Sequence, residues 1–317
     1  MDLRQLNAIV AIAEHGSFSA AADALSTVQS NISTHVKKLE QELGMNLVDR
    51  TNGEITEAGE IVVNRARRVL RELDALASDV TALHHEVVGT VRIGSIGTAA
   101  RWLVPQLLDI VPERHPHLNL IFIEATAAGI DAELMSGQVD VGVLVLPAAG
   151  SELRTVALFE EDIGLVVPRG HPLFHRERVT LADLAELPLL LPSTNVAYRN
   201  ELDAAVRQAG ITLQPRAEVD SLRLITSLTF EGCGYSLLPA GAIASYLQED
   251  WSHIPVEGLQ PRLVGFAQRR RSLPGASVRA VLEILTEIVF DQSRHPVGIR
   301  AVPPDSVRPE PFLGIDD

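Results

Sequence analysis

The chain has 317 residues, 46% of them hydrophobic and 21% charged, with 41 acidic against 27 basic side chains and a net charge of −14. That length suits two domains with a sizeable core, and the composition excludes a disordered chain. The charge excludes bulk attraction to nucleic acid or anionic lipid, so any nucleic-acid site must be a local cationic patch.

Leu3, Leu6, Ile9, Val10 and Ala13 recur at helical spacing, and Gly16 suits the end of that first helix. Ser17 is a good N-cap for a second helix through Leu25, whose inner face is small: Ala20, Ala21, Ala22, Ala24. A third helix follows a tight turn, with Val28, Ile32, Val36 and Leu39 on its buried side. Two helices joined so tightly predict a helix-turn-helix at about 18–37.

The exposed side of the third helix holds Gln29, Ser30, Asn31, Ser33, Thr34, His35, Lys37 and Lys38, and no acid occurs between Asp23 and Glu40. Neutral hydrogen-bonding groups followed by cations are what a helix in the DNA major groove needs. Gln pairs with adenine, Lys with guanine, Ser and Thr with either, while an acid would meet phosphate. Lys37, Lys38 and Arg50 are placed to neutralise phosphates. The other reading is a helix-turn-helix used only for packing. Residues 1–88 carry eight Lys and Arg against thirteen Asp and Glu. Non-specific affinity is therefore expected to be weak.

Asn52-Gly53 is a turn signal between short apolar pieces and predicts a small hairpin or wing, closing a DNA-binding unit over 1–58. Thr56 then caps a long helix predicted over 57–88. Val62, Ala66, Val69, Leu73, Leu76, Val80, Leu83 and Val87 repeat along it in heptads. So narrow a seam suits a partner helix, hence a coiled-coil-like dimer; one long helix packed on its own domain is the alternative.

From Thr90 short apolar runs alternate with helical segments: TVRIGS, LNLIFIEA, VDVGVLVL, IGLVVP, PLLLP and YSLLP. This pattern predicts parallel sheets covered by helices. A last helix is expected at about 276–290. Residues 293–317 are rich in proline and without periodicity, which predicts a disordered tail. Asp2 and Arg4 inside a helical pattern argue against a secretory signal, and no apolar run reaches membrane-helix length; a cytoplasmic location is expected.

The stretch AIAEHGSFSAAADALSTVQSNISTHVKKLEQELGMNLVDR, followed by TEAG at 56–59, resembles the DNA-binding domain of the LysR-type transcriptional regulators. The matching positions include Gly16-Ser17-Phe18, Ala21-Ala22, Gln29, Ser33, Leu39-Glu40, Leu43-Gly44, Arg50 and Thr56-Glu57-Ala58-Gly59. RGHPL at 169–173 and EGCGYSLLP at 231–239 extend the likeness over roughly 1–290. Val48 stands where the family usually has Phe, Thr34 where Arg is frequent, and the Arg50–Ile55 wing is short and carries Glu54.

The resemblance implies a winged helix-turn-helix, a linker helix and an α/β effector domain of two lobes resembling periplasmic solute-binding proteins, over 90–292. Lobe I is expected from 90–163 and 268–292, lobe II from 164–267. It implies a homodimer or homotetramer that binds promoter DNA and a small-molecule effector between the lobes. Ligands in open α/β folds sit at strand ends against helix N-termini. By that rule and by position, Ser95, Thr98, Thr126, Ser193, Thr194 and Asn195 are the cleft candidates. Each by itself could be a helix cap or turn. Backbone N–H groups there suit an anion, and a neutral ligand stays open because no Arg or Lys is placed in the cleft.

No nucleophile elbow, metal-ligand cluster or phosphate loop supports an enzyme, and no cofactor is expected. The alternatives are an α/β binding protein or an enzyme with an accessory DNA-binding domain. The two-cysteine peroxide switch used by some relatives cannot form within this chain, whose one cysteine is Cys233.

Overall fold

The computed structural model describes residues 1–84, 86–194, 197–243, 247, 249–270 and 273–303. Helix α1 (Leu3–His15) opens on a reciprocal cap. The Asp2 carboxylate accepts the Gln5 N–H at 2.9 Å, and the Gln5 side chain accepts the Asp2 N–H at 2.8 Å. The Ser17 hydroxyl caps α2 (Phe18–Ala24). Ala21 and Ala22 are fully buried, and their small size lets α1 and α3 (Gln29–Leu43) close over a core of Leu6, Ile9, Ile12, Ile32, Val36 and Leu39. The expected wing is a single Val48–Ile55 bridge around a turn at Asn52-Gly53.

Thr56 caps α4 (Glu57–Ala82), accepting the Gly59 N–H at 3.0 Å. A Cβ on Gly59 would lie 2.1 Å from the Leu47 carbonyl, so only glycine lets the wing lie against this helix. Helix α4 stops at Ala82, short of the expected Val88. Val87 is therefore not a seam residue; it lies beyond the helix and packs against the effector-domain core. A heptad cannot reveal a neighbouring core that captures its last apolar residue.

Two six-stranded sheets follow. The first contains β1 (Gly89–Ser95), β2 (Leu118–Glu124), β3 (Val141–Val145) and β4 (Leu153–Glu161), covered by α5 (Gly97–Arg114) and α6 (Ala127–Ser136). The second contains β5 (Ile163–Pro168), β6 (Val179–Thr180), β7 (Pro188–Pro192), β8 (Gln214–Val219), β9 (Tyr235–Pro239) and β10 (Trp251–Glu257). Helices α7 (Ala197–Gln208) and α8 (Leu222–Phe230) belong to this second lobe. The chain then returns as β11 (Arg262–Arg269), pairing with β3 and β4, and closes lobe I with α9 (Ala276–Phe290).

The crossings thus fall at Asp162 and just before Arg262, earlier than the expected boundaries at 164 and 268. Because β11 hydrogen-bonds to β4 along its whole length, residues 262–267 belong to lobe I, not lobe II. The sheets are mixed rather than parallel: β11 runs against β3 and β4, and β5 against β9 and β10. The tail is also more ordered than expected. Residues 292–294 form a 3-10 turn, and β12 (Ile299–Ala301) pairs antiparallel with β4, with Ile299 buried in the lobe I core. The edge of β4 offers unpaired backbone groups, which outweigh the tail's proline-rich composition. The remainder of the expected disordered tail, 304–317, lies outside the described residues.

Candidate nucleic-acid interface and effector cleft

Helix α3 begins at Val28 without a side-chain cap and without an acid in its first turn. Its leading N–H groups and the positive end of its dipole are open to an anion. Gln29, Ser30, Asn31, Thr34, Lys37 and Lys38 are exposed and Ser33 half-exposed, opposite buried Ile32, Val36 and Leu39. Two of these are partly engaged. The Thr34 hydroxyl donates to the Ser30 carbonyl at 2.7 Å, and the Asn31 amide donates to the Thr27 hydroxyl at 3.0 Å.

Arg50 is held more firmly than its sequence suggests. It donates to Glu40 at 2.8 Å and stacks over the Phe18 ring at 5.3 Å. Glu40 also accepts the Leu47 N–H at 2.9 Å and the Val48 N–H at 3.3 Å. Burial pushes the Glu40 carboxyl up, but the Leu47 N–H, Arg50 and the Val48 N–H outweigh it and leave its pKa below the ordinary value. This network ties the end of α3 to the wing.

Along α4, one face meets the rest of the chain. Val63 and Ala66 join the first core, Arg68 donates to the Met135 carbonyl, and Arg71 lies 3.4 Å from Asp140. Helix α9, which begins at Gly275 with no cap of its own, is capped from α4. The Ala276 N–H donates to Asp79 at 2.8 Å and the Ser277 N–H to the Ser78 hydroxyl at 3.0 Å. On another face Val69, Leu73, Leu76, Val80 and Leu83 are exposed, while Val62 is half-buried beside the first core.

In the effector domain, Ser95 is buried at the end of β1, its hydroxyl donating to the Ile96 carbonyl at 3.1 Å. Thr126 is exposed and caps α6 through the Gly129 N–H at 3.2 Å, so the cap anticipated as its other role is present. Ser193 is half-buried, its N–H bonded to the Val219 carbonyl at 3.0 Å, and Thr194 is exposed. Asn195 lies outside the described residues. Thr98 is buried in the first turn of α5, whose start has no side-chain cap.

Around Thr98 stand groups that the apolar pattern did not disclose. Arg262 donates to the Thr98 hydroxyl at 3.0 Å and also to Glu161, which is completely buried. The Gly241 N–H donates to the other Glu161 oxygen at 3.3 Å. A Cβ on Gly241 would come 2.7 Å from the Thr98 carbonyl, so glycine lets the lobe II turn touch the start of α5. Arg262 and Glu161 sit opposite each other in the β11–β4 register, a relation that appears only once those strands are paired. Nearby, Tyr198 of α7 is half-buried, and desolvation pushes its phenol pKa up. At the surface Arg223 of α8 reaches Glu124 of β2 at 3.3 Å, an exposed pair linking lobe II to lobe I.

A family model described as the bacterial regulatory helix-turn-helix protein of the lysR family matches residues 3–60, and the LysR substrate binding domain matches residues 84–289. The chain belongs to the LysR family. This LysR-type transcription regulator is 31% identical over 293 residues to the DNA-binding transcriptional dual regulator OxyR of Escherichia coli K12, covering 91% of this chain and 95% of that protein. It is equally similar to a hydrogen peroxide-inducible genes activator of Pectobacterium carotovorum, at 31% identity, 91% of this chain and 96% of the other.

Among solved structures, a cysteine-to-aspartate variant of full-length OxyR from Pseudomonas aeruginosa superposes with a TM-score of 0.69 at 25% identity, over 91% of this chain and 94% of that one. Full-length CbnR in complex with its target DNA gives 0.64 at 25% identity, over 91% and 99%. Among the described residues of this LysR-type regulator no helix is long and apolar enough to cross a membrane, and no cluster of three or more metal-ligating side chains occurs.

Proposed function

We propose that the regulator reads duplex DNA with α3, assembles through α4, and responds to a small molecule held between the lobes. The observation that carries the DNA reading is the exposed face of α3 over residues 29–38, which holds no acid. Gln29, Ser33 and Lys37 form one stripe, four residues apart, above an uncapped helix start. Gln29 and Lys37 offer base-edge contacts; Lys38 and the start of the helix offer phosphate contacts. Arg50, engaged with Glu40, orients the wing and keeps an exposed edge for phosphate. With few basic residues in residues 1–88, specific contacts carry more of the affinity than usual. The DNA-bound relative with a similar fold supports this reading.

The exposed stripe of Val69, Leu73, Leu76, Val80 and Leu83 is an apolar surface that a second copy of α4 would cover, giving a homodimer able to contact two half-sites. The effector domain supplies Ser95, Thr98, Thr126, Ser193 and Thr194 at strand ends for a small molecule. The Pectobacterium relative is an activator of hydrogen peroxide-inducible genes. An intrachain disulfide would need a second cysteine, and these 317 residues contain only Cys233. A bound ligand is therefore the signal we propose.

Operator fragments selected by the full-length protein, followed by mobility shifts at several salt concentrations, test the DNA reading. Unchanged binding in Gln29→Ala, Ser33→Ala, Lys37→Ala and Lys38→Ala alike would place the interface elsewhere. A thermal-shift screen of carboxylates, phosphates and neutral metabolites on the full chain tests the cleft. Once a stabilising ligand is found, an undiminished shift in both Thr98→Val and Thr194→Val would move the effector site away from the strand ends.

A further inference from the structure

Resting on the cleft reading above, we infer that Glu161 is the resident anion of the cleft floor and excludes anionic effectors, leaving uncharged, oxygen-bearing small molecules as the ligand class. Three kinds of donor that could bind an incoming anion converge at the start of α5: a threonine hydroxyl, a backbone N–H and a guanidinium. All three already lie against one carboxylate, the guanidinium through its Nη2. Glu161 takes the Gly241 N–H on one oxygen; the other accepts from Arg262 and lies 3.5 Å from the Thr98 hydroxyl. The side chain of Glu161 is completely buried and that of Arg262 nearly so, which makes the pair a self-neutralised floor rather than a surface ion pair.

The start of α5, which lacks a cap of its own, lies beside two acids: the Thr98 hydroxyl in its first turn is 3.5 Å from Glu161, and the Glu124 side chain packs against Gly97. An anion entering here would find Arg262 neutralised and would lie against a carboxylate of like sign. The ion pair at the surface, Arg223 with Glu124, likewise adds no net charge. Within the floor, the Arg262 Nε–H is buried and has no acceptor among the described residues. A carbonyl or hydroxyl oxygen satisfies it without displacing Glu161.

The inference is tested with sulfate as the probe, by thermal denaturation of the full-length protein at fixed ionic strength. Glu161→Gln keeps the shape, removes the resident charge and frees Arg262. Sulfate should therefore raise its midpoint by about 2 °C more than that of the double variant Glu161→Gln, Arg262→Met, in which general salt effects remain. Equal shifts in the two would overturn the inference. Wild type and the apolar-pair variant Glu161→Met, Arg262→Met provide a second comparison that does not depend on Glu161→Gln folding. These two should respond alike, and a larger sulfate shift in wild type would show a floor that already accepts anions. Sulfate reports only the charge of the floor. An effector shift that ignores Thr98→Val and Thr194→Val would sink the cleft reading while leaving the sulfate results unchanged. A carboxylate or phosphate effector whose shift is lost when Arg262 is replaced would sink the inference itself.

Discussion

Helices α3 and α5 both begin without a side-chain cap, yet their positive ends have opposite fates. At α3 the leading residues are exposed, no acid lies in the first turn, and the following cations Lys37 and Lys38 face solvent. At α5 the first turn is buried against lobe II, and the chain's own Glu161 and Arg262 meet its threonine. Five other helices, α1, α2, α4, α6 and α8, are capped by Asp2, Ser17, Thr56, Thr126 and Ser221, and α9 is capped from α4. An uncapped start is thus a poor indicator of ligand charge by itself. What surrounds it decides whether an outside anion is welcome: open water at α3, a buried carboxylate at α5.

The sharpest way to break this contrast is to remove one cation from each region. Arg262→Met strands a buried carboxylate and should cost about 3–5 kcal/mol in urea unfolding at neutral pH. Lys38→Ala, on the exposed face of α3, should stay within about 0.5 kcal/mol of wild type. Comparable costs in the two would erase the distinction. In DNA binding the order reverses. Gln29→Ala should lose about 1–3 kcal/mol and relax preference at one base pair, while Lys38→Ala should weaken all sequences alike and reduce the salt slope; mobility shifts read both. Arg262→Met should leave DNA affinity unchanged once the folded fraction is matched.

A smaller effect probes the borrowed cap. Asp79→Ala removes the acceptor that α4 lends to α9 and should cost about 1 kcal/mol in thermal unfolding. Leu73→Asp with Leu83→Asp acts on another face of α4. It should reduce the species seen in analytical ultracentrifugation without touching that cap, and an unchanged mass would put assembly on other surfaces.

The smallest effect is the acid limb of the DNA-binding domain. The Glu40 pKa is lowered in the fold, so its contribution is present above the ordinary carboxylate range and is lost as pH falls through the lowered value. Glu40→Gln should flatten that limb in a pH series of unfolding curves; an unaltered profile would mean that Arg50 and the wing N–H groups do not discriminate its charged form.

Much of the first domain was legible because its cues are local. Capping residues, alanines, helical periodicity and the turn at Asn52-Gly53 each act within a few residues, and α1 through α4 fall close to where those cues place them. The acid-free face of α3 could be read before any tertiary contact was known. In the effector domain the predominantly apolar strands β1, β2, β3, β5, β7 and β9 and the helical segments between and after them announced themselves. Strand β8, QPRAEV, is nearly all exposed and carries a proline; β4 and β11 are interrupted by charge.

Sequence by itself determined the helix-turn-helix, the polar reading face and the heptad stripe, since periodicity and capping are properties of neighbouring residues. Tertiary structure alone decided that Val87 leaves the heptad stripe for the lobe I core, that 299–301 becomes an edge strand, and that Glu161 meets Arg262 beneath Thr98. The last two outcomes depend on pairing between strands roughly a hundred or more residues apart along the chain, where burial and hydrogen-bond demand, rather than local propensity, choose the partner.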